Sequence, residues 1–101
     1  MATLEELRGQ LDVVDDQIVK LYEERMKICE QVGEYKVEAG RKVFDRVREK
    51  EKLQNVASKV SSDFDKKGIQ ELYQQLMSMS RKLQYQQLVK GRPAPFSVGS
   101  A

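Results

Sequence analysis

Hydrophobic residues recur through the first third of the chain at strictly alternating spacings of three and four, interrupted once by Arg25. This spacing places an apolar seam along one face of an α-helix. Thr3 followed by Glu6 forms a T-x-x-E capping box, which predicts that the helix begins at Leu4. Gly40 predicts its end. The seam comprises Leu4, Leu7, Leu11, Val14, Ile18, Leu21, Arg25, Ile28 and Val32.

The predicted helix is long for a chain of 101 residues. At 1.5 Å per residue it spans about 54 Å, whereas a compact globule of this size has a diameter of roughly 33 Å. A second chain is the simplest cover for the part of the apolar seam that extends beyond the domain. The length therefore predicts an intertwined homodimer, with a free-standing coiled coil as the alternative.

Two shorter helices are predicted after the long one. Asp45 is placed to cap a second helix that reaches about Val60, and Asp65 to cap a third that reaches about Lys90. The third helix repeats the alternating spacing at Ile69, Leu72, Leu76, Met79 and Leu83. We therefore predict an all-α domain over residues 1–90. Residues 91–101 contain both prolines and show no periodicity, which predicts a flexible tail or linker.

The composition excludes several kinds of chemistry. Histidine is absent and Cys29 is the only cysteine, which removes histidine acid–base catalysis, histidine or multi-cysteine metal sites and an intrachain disulfide. We therefore predict no metal and no cofactor, and we interpret Cys29 as a small core residue.

Charge and hydropathy limit the partners and the location. Lys and Arg total 18 against 16 Asp and Glu, and the two sets are interspersed, so the pattern predicts no nucleic-acid partner and favours small anions. No segment approaches the ~18 apolar residues of a membrane span, and the N-terminus lacks a signal peptide. The expected location is the cytoplasm, with no membrane partner.

Several polar residues break the helical pattern. Arg25 occupies a seam position, and Lys36 lies eleven residues on, which is about 16 Å and close to three whole turns along the same face. Arg48 lies in the first turn of the second helix, where acids are favoured. Ser80 and Gln84 flank the apolar stripe of the third helix. Each residue taken alone is explained without a ligand, as a side chain that extends to solvent, as surface charge or as a polar residue at the edge of the apolar stripe. Together they are also suited to binding an anion.

These residues fall in the order and spacing found in the helical chorismate mutases, and the sequence resembles that family over about 85 residues. The stretches that carry the resemblance are Leu7-Arg8, Asp12-Val13-Val14-Asp15, Glu24-Arg25, Val32-Gly33-Glu34-Tyr35-Lys36, Val43-Phe44-Asp45-Arg46-Val47-Arg48-Glu49 and Ser80-Arg81-Lys82-Leu83-Gln84. Each stretch is weak alone, whereas their joint order across three helices is specific.

The resemblance implies an intertwined three-helix dimer that converts chorismate to prephenate, an isomerase of phenylalanine and tyrosine biosynthesis. It implies Lys36 and Gln84 as catalytic residues. It implies a substrate-binding set of Arg8, Arg25, Asp45, Arg48, Glu49 and Ser80. Arg8 matches the arginine that the partner chain lends to the site. Its seventeen-residue distance from Arg25, about 25 Å along one helix, agrees with that role.

Two other functions stay open at the level of sequence. Helical relatives that act on isochorismate eliminate pyruvate, and their fold is the same. The presence of Arg48, Glu49, Ser80 and Gln84 together favours the mutase. The other alternative is a non-catalytic helical dimerisation or regulatory domain. Such a domain would have the same apolar seam, but its site residues would match those of the family only by chance or by common ancestry.

Overall fold

A computed structural model of the protein describes residues 1–90, which form three α-helices and no strand. The helices are α1 (Leu4–Ala39), α2 (Arg46–Ala57) and α3 (Asp63–Lys90). The predicted all-α fold with one very long N-terminal helix is therefore confirmed. The predicted tail, residues 91–101, lies outside the described residues. None of the three helices combines the length and the apolar character that crossing a bilayer requires.

Both ends of α1 form as the sequence predicts. Thr3 Oγ1 accepts the backbone N–H of Glu6 at 3.1 Å, and Glu6 Oε1 accepts the backbone N–H of Thr3 at 2.9 Å. This reciprocal pair satisfies two amides that the first turn would otherwise leave unbonded. At the other end Gly40 adopts a left-handed conformation with φ 67°, which a residue with a Cβ adopts only with strain.

The shorter helices differ from their predicted bounds. Asp45 caps α2 as predicted, but α2 ends at Ala57 rather than near Val60. The prediction that Asp65 caps α3 is wrong. The hydroxyl of Ser62 accepts the backbone N–H of Asp65 at 3.0 Å, so the helix begins three residues earlier than expected and Asp65 lies in its first turn.

The packed part of the chain is small. α3 packs against the C-terminal half of α1 on one side and against α2 on the other. Within residues 1–90 the buried apolar side chains are Val43, Val56 and Met77. Val47 is exposed, because nine residues separate it from Val56 and place it on the opposite side of the helix.

Residues 1–90 leave the N-terminal half of α1 uncovered. Every residue from 1 to 24 is exposed, including the seam residues from Leu4 to Leu21. The described chain extends over 66 Å and has a radius of gyration of 18.5 Å. A compact domain of this length has a radius of gyration of about 13 Å. The seam of α1 is therefore open to solvent along its N-terminal half in the described residues.

Gly33 sets how closely α3 approaches α1. A Cβ atom at this position would lie 1.8 Å from Gln87 Oε1 and 3.0 Å from Gln84 Cγ. The absence of a side chain lets both glutamines reach the backbone of α1. Gln84 Nε2 donates to the carbonyl of Cys29 at 3.2 Å, and Gln87 Nε2 donates to the carbonyl of Glu30 at 2.9 Å. The α1–α3 contact is therefore fixed in register by hydrogen bonds as well as by packing.

Candidate active site

A cleft with a cavity volume of about 160 Å³ lies where the three helices meet. It brings together seven of the eight predicted site residues from α1, the α1–α2 turn, α2 and α3. The predicted residues that line it are Arg25, Lys36, Asp45, Arg48, Glu49, Ser80 and Gln84. The other lining residues are Cys29, Val32, Val43, Lys52, Met77 and Arg81.

Arg25 is held on the α1 wall by several contacts. Its Nη1 donates to Ser80 Oγ at 2.9 Å and to Cys29 Sγ at 3.6 Å. The guanidinium also lies over the ring of Tyr73, 5.7 Å from the ring centre. These partners are all uncharged, so they orient the guanidinium and leave its positive charge uncompensated at the cleft.

Lys36 ties the end of α1 to the turn that follows. Its Nζ donates to the backbone carbonyl of Val43 at 2.7 Å, and Val43 is buried. The carbonyl is neutral, and an ammonium has three donors, so two donors remain for a ligand. The contact fixes the side chain within the cleft in the absence of any ligand.

Asp45 and Arg48 lie at the start of α2. Asp45 Oδ1 accepts the backbone N–H of Arg48 at 3.0 Å, which caps the helix. The aspartate therefore shapes the turn, and the side chain of Arg48 lines the cleft beside the N-terminal end of the helix dipole, where anions are favoured.

Ser80 and Gln84 are the buried polar residues within the described chain, with 8% and 5% of their surface exposed. Both face the cleft from α3, one turn apart. Ser80 Oγ donates to the carbonyl of Leu76 at 3.0 Å and lies 3.2 Å from Cys29 Sγ. One amide hydrogen of Gln84 goes to Cys29, and the second is free to donate to a ligand.

Of the six lining residues that were not predicted as site residues, three carry a thiol or a charge: Cys29, Lys52 and Arg81. Arg81 forms an ion pair with Glu49 and lies over the ring of Phe44 at 5.2 Å. The sequence carried partial signals for two of them. Arg81 follows Ser80 directly, and Lys52 lies three residues after Glu49 on the same helix face. Cys29, expected to be a core residue, lies between Arg25 and Ser80 at the edge of the cleft.

Lys52 stands in a strongly positive part of the cleft. Desolvation lowers its pKa from the usual value, and the nearby charges of Arg48, Lys59 and Arg25 lower it further. Because the pKa of Lys52 is lower in the folded protein than in the unfolded chain, its positive charge lowers the free energy of unfolding. This destabilisation is relieved as the pH rises through the lowered pKa and Lys52 loses its proton. A bound anion would relieve the same repulsion near neutral pH.

Arg8 is the one predicted site residue that does not line the cleft. It lies in the fully exposed N-terminal half of α1. Seventeen residues of straight helix, about 25 Å, separate it from Arg25. Its own chain therefore keeps it away from the residues with which it was predicted to act.

The lining has the character of a site for a small anion. Five cationic side chains face two acidic ones, and the excess of positive charge suits a ligand with two negative charges. Within residues 1–90 no group of three or more histidine, cysteine, aspartate or glutamate side chains is placed to hold a metal ion. The donors are arranged for hydrogen bonding and charge stabilisation.

A family model for chorismate mutase type II matches residues 7–85. The match spans all three helices and every predicted site residue from Arg8 to Gln84. No curated protein was found to match the chain by sequence. Because the family match covers well over half of the chain, the chain belongs to the chorismate mutase type II family.

Proposed function

We propose that this chain is a chorismate mutase that converts chorismate to prephenate, and that it acts as a homodimer. The observation that carries the proposal is the cleft itself. Residues from three separate helices converge there as a set of cationic and amide donors around a space of about 160 Å³. The family membership supports mutase activity in general.

The reaction needs only the kind of groups that line this cleft. Chorismate carries two carboxylates and rearranges in one concerted step, so it needs no nucleophile, base or metal. Rate enhancement comes from holding a compact conformer and from stabilising the negative charge that develops on the breaking ether oxygen. Fixed cationic and amide donors supply both effects.

Each side chain is assigned a part by its position and its remaining hydrogen-bonding capacity. Lys36 and Gln84 donate to the ether oxygen, since both keep unused donors while their positions are fixed by α1 and by the turn. Arg25 binds one carboxylate and Arg8 of the partner subunit binds another. Glu49 accepts the hydrogen bond of the ring hydroxyl.

The remaining residues support this arrangement. Ser80 orients the guanidinium of Arg25 by accepting its hydrogen bond, and its hydroxyl donates to the carboxylate in place of its bond to the carbonyl of Leu76. Arg48 adds positive charge at the start of α2. Asp45 shapes the turn through its cap and contributes to binding indirectly.

A second groove supports the dimer. An apolar groove of about 480 Å³ runs between α1 and α3 and includes Arg25 at its edge. It continues the exposed seam of α1, and its apolar lining residues are Ile18, Val19, Leu21, Tyr22, Leu72, Tyr73, Leu76 and Met79. A partner's α1 lying in this groove covers the seam and carries its own Arg8 towards Arg25.

Sedimentation equilibrium tests the oligomeric state. We expect the chain to sediment at twice its mass of 11.7 kDa at micromolar concentration, because a monomer exposes the entire N-terminal half of α1. A folded monomer at that concentration that also converts chorismate would contradict the intertwined dimer and leave the assignment of the reaction intact.

Product analysis tests the reaction. The purified chain is incubated with chorismate, its loss is followed, and the product is identified. Prephenate is the expected product. A chain that leaves chorismate unchanged but releases pyruvate and salicylate from isochorismate is a lyase on the same fold. A dimer that transforms neither compound is a non-catalytic helical domain, and the proposal is then wrong.

Substitution of Gln84 with glutamate is expected to make activity depend on pH. The wild-type amide donates at any ordinary pH, so kcat/KM is expected to stay nearly flat from about pH 5 to 8. A carboxylic acid donates only when protonated, and its ionised form would face both the developing negative charge and the carbonyl of Cys29, which Gln84 Nε2 approaches at 3.2 Å. Activity of the variant is therefore expected to fall as the pH rises.

The measurement is kcat/KM for Gln84→Glu and wild type across that range. Gln86→Glu is the matched control, because Gln86 is an exposed glutamine on α3 outside the cleft lining. A Gln84→Glu profile as flat as that of the control would show that residue 84 does not contact the reacting oxygen.

A further inference from the structure

Arg81 differs from Arg25 and Lys36 because its partner in the cleft is a charged side chain. Arg25 and Lys36 make their hydrogen bonds to a hydroxyl, a thiol and a carbonyl, all of them neutral. Arg81 instead forms an ion pair with Glu49, and this is the one ion pair found within residues 1–90. The charge of Arg81 is therefore compensated inside the protein, while the charges of Arg25 and Lys36 remain available to a ligand.

The ion pair joins two helices at the wall of the cleft. Arg81 comes from α3 and Glu49 from the first turn of α2, and both side chains are largely covered, with 30% and 20% of their surface exposed. The guanidinium lies over the ring of Phe44, 5.2 Å from its centre. A planar guanidinium that is stacked on one side and paired at its edge has little rotational freedom.

Glu49 has other cations within its reach. Lys52 lies three residues later on α2, the spacing that brings two side chains together on a helix surface, and it lines the same cleft. Without Arg81, the carboxylate of Glu49 would turn towards Lys52 and compensate a positive charge that otherwise attracts the ligand. Arg81 thus fixes the position of the Glu49 carboxylate and keeps that carboxylate from neutralising Lys52.

We propose that Arg81 is a positioning residue: through its ion pair, and braced by Phe44, it holds the Glu49 carboxylate where it accepts the hydrogen bond of the substrate's ring hydroxyl. The inference rests on the proposed function, because it assigns Arg81 a part in the same site. Arg81 acts through Glu49 and makes no contact with the substrate itself.

The first experiment compares three variants of the full 101-residue chain in the chorismate assay. Arg81→Met removes the charge and keeps the length, and it is expected to lower kcat/KM by about tenfold or more, the scale of a lost hydrogen bond to a charged group. Arg81→Lys keeps the charge but loses the planar group that lies over Phe44, so it is expected to lower kcat/KM by about fivefold, less than Arg81→Met does. Lys82→Met is the matched control, since Lys82 is exposed on the same helix, and it is expected to leave kcat/KM unchanged.

A double-mutant cycle separates positioning from a general structural role. If Arg81 acts through Glu49, Arg81→Met costs less than about twofold once Glu49→Gln is already present. A structural role predicts the same loss in both backgrounds. Thermal unfolding and sedimentation of each variant establish that the compared proteins are folded, and Arg81→Lys replaces Arg81→Met in the cycle if the latter does not fold.

The outcomes distinguish a failure of the role of Arg81 from a failure of the proposed function. Additive losses, or wild-type activity in Arg81→Met, overturn the role of Arg81 while wild-type mutase activity still supports the proposed function. In the lysine version of the cycle, a loss that persists undiminished beside Glu49→Gln overturns it equally. A wild-type dimer that does not convert chorismate overturns both proposals together.

Discussion

Replacement of Lys36 with alanine is expected to lower kcat/KM for chorismate by about 100- to 1,000-fold, the usual effect of removing one donor from a developing oxyanion. The loss is expected mainly in kcat, because the interaction strengthens as negative charge accumulates on the ether oxygen. Steady-state kinetics on the purified variant provides the measurement, with circular dichroism as a check of helicity.

The same substitution also has a structural effect, which is separable from the loss of rate. Lys36→Ala also removes the 2.7 Å hydrogen bond to the carbonyl of Val43. A single bond of this kind contributes about 0.5–1.5 kcal/mol to stability, or up to about 3 kcal/mol when it is charged, so the helices are expected to remain folded. A hundredfold loss of rate corresponds to about 2.7 kcal/mol at the transition state, measured on the folded protein.

Lys42→Ala is the matched control for Lys36→Ala. Lys42 is an exposed lysine in the turn between α1 and α2, and it does not line the cleft. The control is expected to keep wild-type turnover. If the turnover of Lys36→Ala lies within about threefold of that control, Lys36 is not a catalytic residue.

The bounds of α1 could be read from the sequence because its signals are local. A capping box needs only Thr3 and Glu6, and a C-terminal glycine needs only its own backbone freedom. The start of α3 was harder, because Ser62 and Asp65 are both good capping residues in one polar stretch. Propensity does not rank two such neighbours, and the choice depends on where α3 packs.

The candidate site was predicted in part for a related reason. Arg25, Lys36 and Gln84 break a helical pattern, so each one is conspicuous in its own helix. The pairing of Arg81 with Glu49 joins residues thirty-two apart on different helices, and no local pattern specifies which carboxylate an arginine meets. Cys29 resembled a core residue because its neighbours are helical, and its contact with Ser80 depends on the approach of α3 at Gly33.

The position of Arg8 leads to the second large effect. If Arg8 serves the partner's site, a mixture of Arg8→Ala and Lys36→Ala subunits is expected to recover activity that neither variant has alone. In the heterodimer, one site receives Lys36 from the first chain and Arg8 from the second, and the other site lacks both. Random pairing makes half of the dimers heterodimers with one intact site each, so about a quarter of wild-type activity is expected.

The experiment requires exchange of subunits, which an intertwined dimer achieves by reversible denaturation and refolding. Each variant refolded alone, and wild type refolded alone, give the baseline and the maximum. If Arg8 acted within its own chain, every site of the heterodimer would carry one defect and the mixture would stay at the baseline. Recovery therefore depends on which chain supplies the arginine.

A reciprocal mixture adds a test in which both hypotheses predict measurable activity. Wild type is mixed with equal amounts of the Arg8→Ala/Lys36→Ala double variant. If Arg8 acts in trans, no heterodimer site is intact, and only the wild-type dimers remain active, about a quarter of the maximum. If Arg8 acts in cis, each heterodimer keeps one intact site and the mixture retains about half. A value of about half here, together with no recovery in the first mixture, would show that Arg8 acts within its own chain. That result would require α1 to depart from a straight helix, along which Arg8 lies about 25 Å from Arg25.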